Sequence, residues 1–114
     1  MRKLNLRDYT VKKVIPDQAN EGQLVGVEFP YKFKDSVLLL LFSRELQLDG
    51  AELVKQNVLA MKLEQCKDDE ILLENEEYNR IKRAIDTFKG FGRNDVELVT
   101  RINEAEVVEV EPKK

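Results

Sequence analysis

Alternating apolar and polar positions predict β-strands in the first third of the chain. Leu4 and Leu6 alternate with polar residues, whereas Tyr9 and Val11 alternate with the opposite parity. Successive side chains of a strand point to opposite faces, so this change of parity predicts a bulge or bend near residues 7–8. The chain is therefore expected to change direction once before Tyr9.

A second strand follows the polar run 16–22, whose composition is typical of a connection between antiparallel strands. Pro30 lacks the N–H that a central strand needs, so this strand is predicted at a sheet edge. An edge that carries a row of apolar side chains needs cover, from a helix of the same chain or from a neighbouring subunit. The row consists of Val25, Val27, Phe29, Tyr31 and Phe33.

After Lys34 the apolar positions follow a helical period. Asp35 or Ser36 can cap a short helix that runs through Phe42, and because this segment is apolar on every side it is expected to be buried all round. A longer helix is predicted over residues 51–66. Its apolar face is wider than contact with a small sheet requires, because two neighbouring stripes contribute: Ala51, Val54, Val58 and Met61, and beside them Leu59, Leu63 and Cys66.

Two further helices are predicted in the second half of the chain. Asn75 is the predicted N-cap of the first, and Gly90 is expected to end it as a left-handed cap. Asn94, with Glu97 three residues later, has the pattern of a capping box at the start of the second. The inward-facing residues are predicted to be Tyr78, Ile81, Ile85 and Phe88 in the first helix, and Val96, Val99 and Ile102 in the second.

These elements predict an α+β fold. Residues 71–73 form a short extended segment, and Val108 and Val110 alternate with glutamates in a predicted C-terminal strand. We expect a small antiparallel sheet, made of the N-terminal hairpin plus the C-terminal strand, packed with about four helices. A chain of 114 residues has the size of one domain, so residues 1–114 are taken as a single domain.

The composition excludes several classes of catalytic site. The chain has no His and a single Cys, which removes Ser-His-Asp and Cys-His mechanisms, His-ligated zinc and an internal disulfide. Cys66 falls on the apolar side of its helix and is predicted to be a small buried hydrophobic residue. The acidic run 68–70 lacks the glycine and the terminal glutamate of an EF-hand loop. We therefore expect no enzymatic activity, no catalytic residue, no metal and no cofactor.

Targeting signals are missing from the sequence as it stands. The first eight residues contain no uninterrupted apolar region, so no signal peptide is predicted. The longest apolar run, residues 37–42, is far shorter than the roughly 20 residues of a membrane helix. We expect a protein that is not secreted by a signal peptide, makes no membrane contact, and resides in the cytoplasm of a host cell or in a virion.

Charge is distributed in blocks of opposite sign. Residues 45–79 carry three basic and ten acidic residues, and residues 80–93 carry five basic and one acidic. The basic block lies near Phe88 and Phe91, and cations beside aromatic rings suit single-stranded nucleic acid. Pairing with the acidic block of another copy is an equal alternative, and a local Glu76–Arg80 ion pair needs no partner. The basic patch consists of Arg80, Lys82, Arg83, Lys89 and Arg93.

In their general residue pattern, three segments resemble small uncharacterised proteins of tailed-phage and prophage genomes. The segments are 48–55 (Leu-Asp-Gly-Ala-Glu-Leu-Val-Lys), 71–78 (Ile-Leu-Leu-Glu-Asn-Glu-Glu-Tyr) and 88–95 (Phe-Lys-Gly-Phe-Gly-Arg-Asn-Asp). They span roughly the C-terminal two-thirds of the chain. The resemblance implies an accessory or assembly subunit that acts by binding, and it assigns a role to no individual residue.

Two hypotheses about function follow. The first is a non-enzymatic structural or assembly protein, a homo-oligomer that docks on itself or on other virion subunits, with Phe29 and Tyr31 as contact residues. The second is a small regulator that binds nucleic acid or a host protein through Arg80, Arg83, Lys89 and Arg93. The aromatic strand and the wide apolar helix face favour the first hypothesis.

Overall fold

A computed structural model describes residues 1–109 and has the predicted α+β fold. The strands are β1 (Arg2–Asn5), β2 (Tyr9–Pro16), β3 (Leu24–Tyr31), β4 (Glu70–Leu73) and β5 (Glu106–Val107). The helices are α1 (Phe33–Leu41), α2 (Gly50–Gln65), α3 (Asn75–Thr87) and α4 (Val96–Asn103). Short 3-10 turns lie at Arg44–Leu46 and Arg93–Asp95.

The strands form two separate antiparallel sheets. One sheet has the order β4-β1-β5, and the other contains β2 and β3 alone. The N-terminal hairpin and the C-terminal strand therefore do not share a sheet, which differs from the expected arrangement. Val108, beyond β5, still pairs with the first residue, because its N–H donates to the Met1 carbonyl at 2.8 Å. Val110 lies outside the described residues.

The change of parity before Tyr9 marks the passage from one sheet to the other. Leu6 remains buried, and its N–H donates to the Asp69 carbonyl at 2.7 Å, so the chain stays attached to the β4 side up to that point. It then turns at Asp8, whose carboxylate accepts a hydrogen bond from the Phe33 N–H at 3.0 Å. The predicted bend is confirmed, and it separates two strands rather than bending one.

The core lies between the three-stranded sheet and the four helices. Apolar side chains from β1, β4 and every helix meet there with almost no exposed surface, which is the burial that offsets the loss of chain entropy on folding. The most deeply buried of them are Leu4, Phe33, Val37, Leu41, Leu59, Leu63, Leu73, Ile81, Leu98 and Ile102.

Helix α1 differs from its prediction in two ways. It begins at Phe33 rather than at Asp35 or Ser36, because the distant Asp8 carboxylate caps the Phe33 N–H. It is also not buried all round, since Leu39 is 78% exposed and Phe42, just after the helix, is 41% exposed. Four residues of this helix suffice to fill its contact with the core: Phe33, Val37, Leu40 and Leu41.

Helix α2 separates the two predicted stripes. Leu59 and Leu63 enter the core, whereas the stripe of Ala51, Val54, Val58 and Met61 lies on the opposite side of the helix and is exposed. Cys66 follows the helix and is partly buried rather than buried, although it packs against the core. One element thus presents apolar side chains both inward and outward.

The caps of α3 and α4 also differ from those predicted. Glu74, not Asn75, is the N-cap of α3, and its backbone N–H donates to the Glu77 carboxylate at 2.8 Å. Helix α3 ends at Thr87, because the backbone of Phe88 is extended. Gly90, whose φ is +138°, lies in the connector between α3 and α4 and does not cap the helix.

At α4, neither Asn94 nor Glu97 acts as predicted. The Asp95 carboxylate accepts the Gly92 N–H at 2.8 Å, and Glu97 pairs with Arg101 one turn later. Val96 is 59% exposed because it occupies the first turn, and Leu98 takes the inward place beside Ile102.

Candidate functional site

The β2–β3 hairpin projects from the rest of the molecule. We call residues 9–31 the arm; its two strands pair in continuous register and are joined by the turn 17–23. The strands pack chiefly on each other, and the molecule measures 67 × 32 × 22 Å. Eight residues per strand give the arm a length of roughly 27 Å. A long hairpin held mainly at one end is the most distinctive feature of this fold.

The register divides the arm into two faces. Cross-strand neighbours share a face, and neighbouring residues of a strand lie on opposite ones. The aromatic face carries the pairs Tyr9 with Tyr31, Val11 with Phe29, Lys13 with Val27 and Ile15 with Val25. The proline face carries Thr10 with Pro30, Lys12 with Glu28, Val14 with Gly26 and Pro16 with Leu24.

Two stacked tyrosines attach the base of the arm to the body. The rings of Tyr9 and Tyr31 lie 4.4 Å apart at an angle of 14°. The Tyr9 hydroxyl donates to the Asn94 carbonyl at 2.8 Å, and the Tyr31 hydroxyl donates to the Asp95 carboxylate at 2.5 Å. Arg101 adds a cation–π contact over the Tyr9 ring. The turn before α4 therefore holds both strands of the arm at their origin.

Burial raises the pKa of both tyrosines, and the Asp95 carboxylate raises the pKa of Tyr31 further. A tyrosine with a raised pKa keeps its proton to a more alkaline pH than an exposed one. The stabilisation from these two hydrogen bonds is therefore fully present below the ordinary tyrosine pKa of about 10 and is lost only at higher pH. At neutral pH both hydroxyls are donors.

The distal half of the arm carries exposed apolar side chains. On the proline face Val14 is 67% exposed and Leu24 is 71% exposed. Gly26, which pairs with Val14, has nothing within 4 Å of the position that a Cβ would occupy, so the surface beside Val14 is open. Pro16 and Pro30 lie on the same face and have no N–H to donate. The distal part of this face is apolar, and the described residues 1–109 do not cover it.

Charges of opposite sign occupy the two ends of the arm. Lys12 and Lys13 lie at the middle of β2, and Arg93 lies on the turn beside the base of the arm; the groove between arm and turn, about 710 Å³ in volume, is lined by all three. Asp17 and Glu21 lie in the turn at the far end. Hydrogen bonds from Ala19 and Asn20 lower the pKa of Asp17, so the tip is anionic at neutral pH. Glu28 lies across from Lys12, so cations outnumber acids toward the base, whereas the tip carries acids alone.

The predicted contact residues Phe29 and Tyr31 both lie on the aromatic face. Phe29 is partly buried beneath Lys13, whose Nζ lies 5.4 Å from the ring centroid. Tyr31 is committed to Asp95 and to Tyr9 in the attachment described above. The arm therefore uses part of its aromatic face within the chain, and the more exposed apolar side chains lie on the other face.

The predicted basic patch is distributed over three places. Arg80 and Arg83 line a cleft of about 350 Å³ between α2 and α3. Lys89 is exposed, and its N–H donates to the Glu45 carboxylate at 2.7 Å. Arg93 lies at the base of the arm beside Tyr31. The fold thus brings Arg80 and Arg83 together and leaves the other two cations apart from them.

Within the α2–α3 cleft, Arg80 is held by acidic side chains of the same chain. Its guanidinium lies 2.7 Å from Glu52 and 3.4 Å from Glu76, and it donates to the Gln56 side-chain oxygen at 3.1 Å. Lys82 pairs with Asp86 on the next turn of α3 at 2.8 Å. The acidic and basic blocks of the sequence therefore pair with each other inside one molecule.

Sequence reasoning missed the proline face, including Lys12, Val14 and Leu24. These residues share the parity of Glu28 and Lys32, which made their side of the strand look polar. The signal that could have found them is the register, because a turn over residues 17–23 places Val14 beside Gly26 and Leu24 beside Pro16. Exposure of apolar residues on that side depends on the absence of cover, which no local pattern reports.

Metal, membrane and family comparisons add no further site. Among residues 1–109, no cluster of three or more His, Cys, Asp or Glu side chains is arranged to hold a metal ion. None of the helices described there combines the length and the apolar character needed to cross a bilayer. Comparison with protein-family models, with curated proteins and with solved structures gave no match.

Proposed function

We propose that this chain is a non-enzymatic structural or assembly protein, of the kind that tailed phages encode, and that it acts through protein–protein contacts made by the arm. The observation that carries the proposal is the projecting two-stranded arm, whose distal apolar side chains Val14 and Leu24 are largely exposed. The site of action would be the host cytoplasm or the virion, and no catalytic group takes part.

Energetics support a docking role for the arm. An isolated two-stranded hairpin is at best marginally stable in water, and three strands or a packed helix normally supply the missing burial. The base of the arm has such support from the turn before α4, whereas the distal half has none within the described chain. A protein partner that covers Val14 and Leu24 would provide it.

The character of the surface supports a protein partner over nucleic acid. The arm carries Lys12 and Lys13 against Asp17, Glu21 and Glu28, so it has no excess of positive charge. Nucleic-acid binding depends on cations that neutralise phosphates. In the α2–α3 cleft Arg80 already contacts two carboxylates. Binding through the basic patch stays a prediction, and the arm is the better-supported surface.

The first prediction concerns Leu24→Asp. Purified protein and an extract of the source cells are passed through size-exclusion chromatography with light scattering, and we expect a mass above the 13.3 kDa of one chain in at least one of the two samples. Leu24→Asp should return the protein to 13.3 kDa, because a carboxylate at the contact must be desolvated without a partner. Leu24 is exposed, so the free energy of unfolding should change by less than about 0.5 kcal/mol.

Leu39→Asp is the matched control. Leu39 is 78% exposed on α1, outside the arm, and the same substitution there should leave the assembly intact. A wild-type protein that elutes at 13.3 kDa in both samples would contradict the proposed function. If both variants lost assembly equally, the arm would not be the contact surface.

A further inference from the structure

We infer that the partner of the arm is the arm of a second copy, packed antiparallel so that the tip of each lies over the base of the other. This inference rests on the proposed function and names the occupant of the same surface. The contact uses the proline face and is symmetric about a two-fold axis. Such an isologous contact is complete with two copies, because each arm contributes the same surface to it.

The charge polarity of the arm selects this orientation. The groove at the base is lined by Lys12, Lys13, Lys32 and Arg93 against Asp95, with Glu28 across from Lys12, whereas the tip carries only the acids Asp17 and Glu21. In an antiparallel pair the acidic tip of one arm meets the basic base of the other at both ends of the contact. A parallel pair would instead place base against base and tip against tip, which costs free energy through like-charge repulsion. Only the antiparallel arrangement is complementary to itself.

The register of side chains agrees with the same axis. We place the two-fold axis beside the Ile15–Val25 pair. Each β2 residue then lies opposite the partner's β2 residue whose number adds to 30 with its own, and each β3 residue lies opposite the partner's β3 residue whose number adds to 50. Leu24 then faces the partner's Gly26, beside which the surface is open. Val14 faces the partner's Pro16, and Lys12 faces the partner's turn 17–23. The largest exposed apolar side chain of the face thus meets its one position without a side chain.

Coverage of the exposed residues follows from this packing. Val14 and Leu24, which are 67% and 71% exposed in one chain, would be covered in a pair of chains. The edges of the arm contribute less, because proline nitrogens at Pro16 and Pro30 cannot donate to an added strand. The contact is therefore made between faces rather than between strand edges.

The second prediction tests the orientation by charge reversal and mixing. Between two copies of Lys12→Glu, position 12 and the partner's tip are both acidic, and between two copies of Glu21→Lys, positions 12 and 21 are both basic, so each variant alone should associate roughly tenfold more weakly than the wild type at low salt. A 1:1 mixture restores opposite charges at both ends of each contact. We expect it to form heterodimers with a dissociation constant within about threefold of the wild type. Sedimentation velocity with one variant fluorescently labelled measures the heterodimer directly.

Asp35→Lys supplies the control for the mixing experiment. Asp35 is exposed on α1, outside the arm, so its variant should associate like the wild type and should not form preferred heterodimers with Lys12→Glu. Rescue by mixing also excludes simple unfolding of the arm in Lys12→Glu, since a disordered arm would not recover its affinity.

Each outcome bears on one of the two proposals. Heterodimers between Lys12→Glu and Glu21→Lys support the tip-to-base pair. If the two variants do not associate when mixed, or if each alone associates like the wild type, the tip-to-base pair is wrong. Loss of assembly in Leu24→Asp would still support the proposed function. Association seen only in cell extract also overturns the self-pairing, because the arm then binds another protein.

Discussion

At the scale of single residues, Gln56 connects three elements of the fold. It is the sole buried polar side chain among residues 1–109, with 1% of its surface exposed. Its amide donates to the carbonyl of Leu41, the last residue of α1, at 3.0 Å, and its oxygen accepts from Arg80 of α3 at 3.1 Å. The carbonyls of the last turn of a helix have no partner within the helix, so Gln56 satisfies one of them.

The third prediction is therefore a loss of stability in Gln56→Ala. Truncation leaves the Leu41 carbonyl without its partner in a dry environment, and we expect the free energy of unfolding to fall by about 2 kcal/mol. Gln65→Ala, at the exposed end of the same helix, should change it by less than about 0.5 kcal/mol. Urea denaturation of both variants measures the difference. Equal stability of the two variants would mean that water replaces the amide at no cost.

Asp8 and Asp95 show which residue-scale features local sequence can and cannot reveal. Asp95 immediately precedes a helix in the sequence, as helix caps commonly do, whereas Asp8 precedes strand β2. Asp8, however, caps Phe33 from 25 positions away, and Asp95 accepts both the Tyr31 hydroxyl and the Gly92 N–H. A pairing across such distances depends on the tertiary fold, so the caps proposed from neighbouring residues were wrong at α1 and α4.

At the scale of elements, α2 is apolar on two opposite sides. Leu59 and Leu63 enter the core, while Val54 and Val58, 63% and 62% exposed, lie on the far side. Periodicity identified the members of both stripes, but the prediction that they lie side by side on one wide face was wrong. It could not say which stripe faces the core, because a helical period gives angles around the axis and not the direction of the neighbours.

The fourth prediction compares two neighbouring positions of α2. Val58→Lys should change the free energy of unfolding by less than about 0.5 kcal/mol, because the new charge stays in water. Leu59→Ala, one residue later at 2% exposed, should lower it by about 2–5 kcal/mol through lost burial and the cavity left behind. Thermal or urea unfolding of the monomeric Leu24→Asp background separates the two. A large cost at Val58 would mean that this stripe is covered in the folded monomer.

The strands illustrate the same division between pattern and context. Alternation predicted the strands of the hairpin, and a polar run predicted its turn; these and the extended segment predicted at residues 71–73 agree with the structure to within a few residues. The C-terminal strand begins at Glu106, two residues before the predicted Val108. Their grouping into two sheets was not predicted. Partner choice between strands depends on long-range contacts, such as the bond from the Leu6 N–H to the Asp69 carbonyl, that alternation does not encode.

At the scale of the whole molecule, the arm makes the protein elongated. The radius of gyration of the Cα atoms is 17.1 Å, whereas a compact chain of this length has about 13 Å. The candidate site follows from this shape, because the residues that matter are those that the body does not cover. Phe29 and Tyr31, the predicted contact residues, lie on the arm, but its most exposed apolar side chains are Val14 and Leu24 on the other face.

The fifth prediction measures this shape. Small-angle scattering of the monomeric Leu24→Asp variant should give a radius of gyration near 17 Å, because the arm extends into solvent. Replacing residues 13–27 with Asn-Gly, which favours a two-residue hairpin turn between Lys12 and Glu28, should reduce it to roughly 14 Å. A full-length monomer with a radius near 13 Å would mean that the arm folds back on the body.

The two prolines of the arm have a consequence for solubility at high concentration. A two-stranded sheet with unpaired edges and exposed apolar side chains can pair with further strands and grow into fibrils. Pro16 near the end of one strand and Pro30 near the end of the other each interrupt a donor row that an incoming strand would need. Replacing each with valine would add one N–H donor to each edge of the arm, so the two prolines disfavour the addition of further strands there.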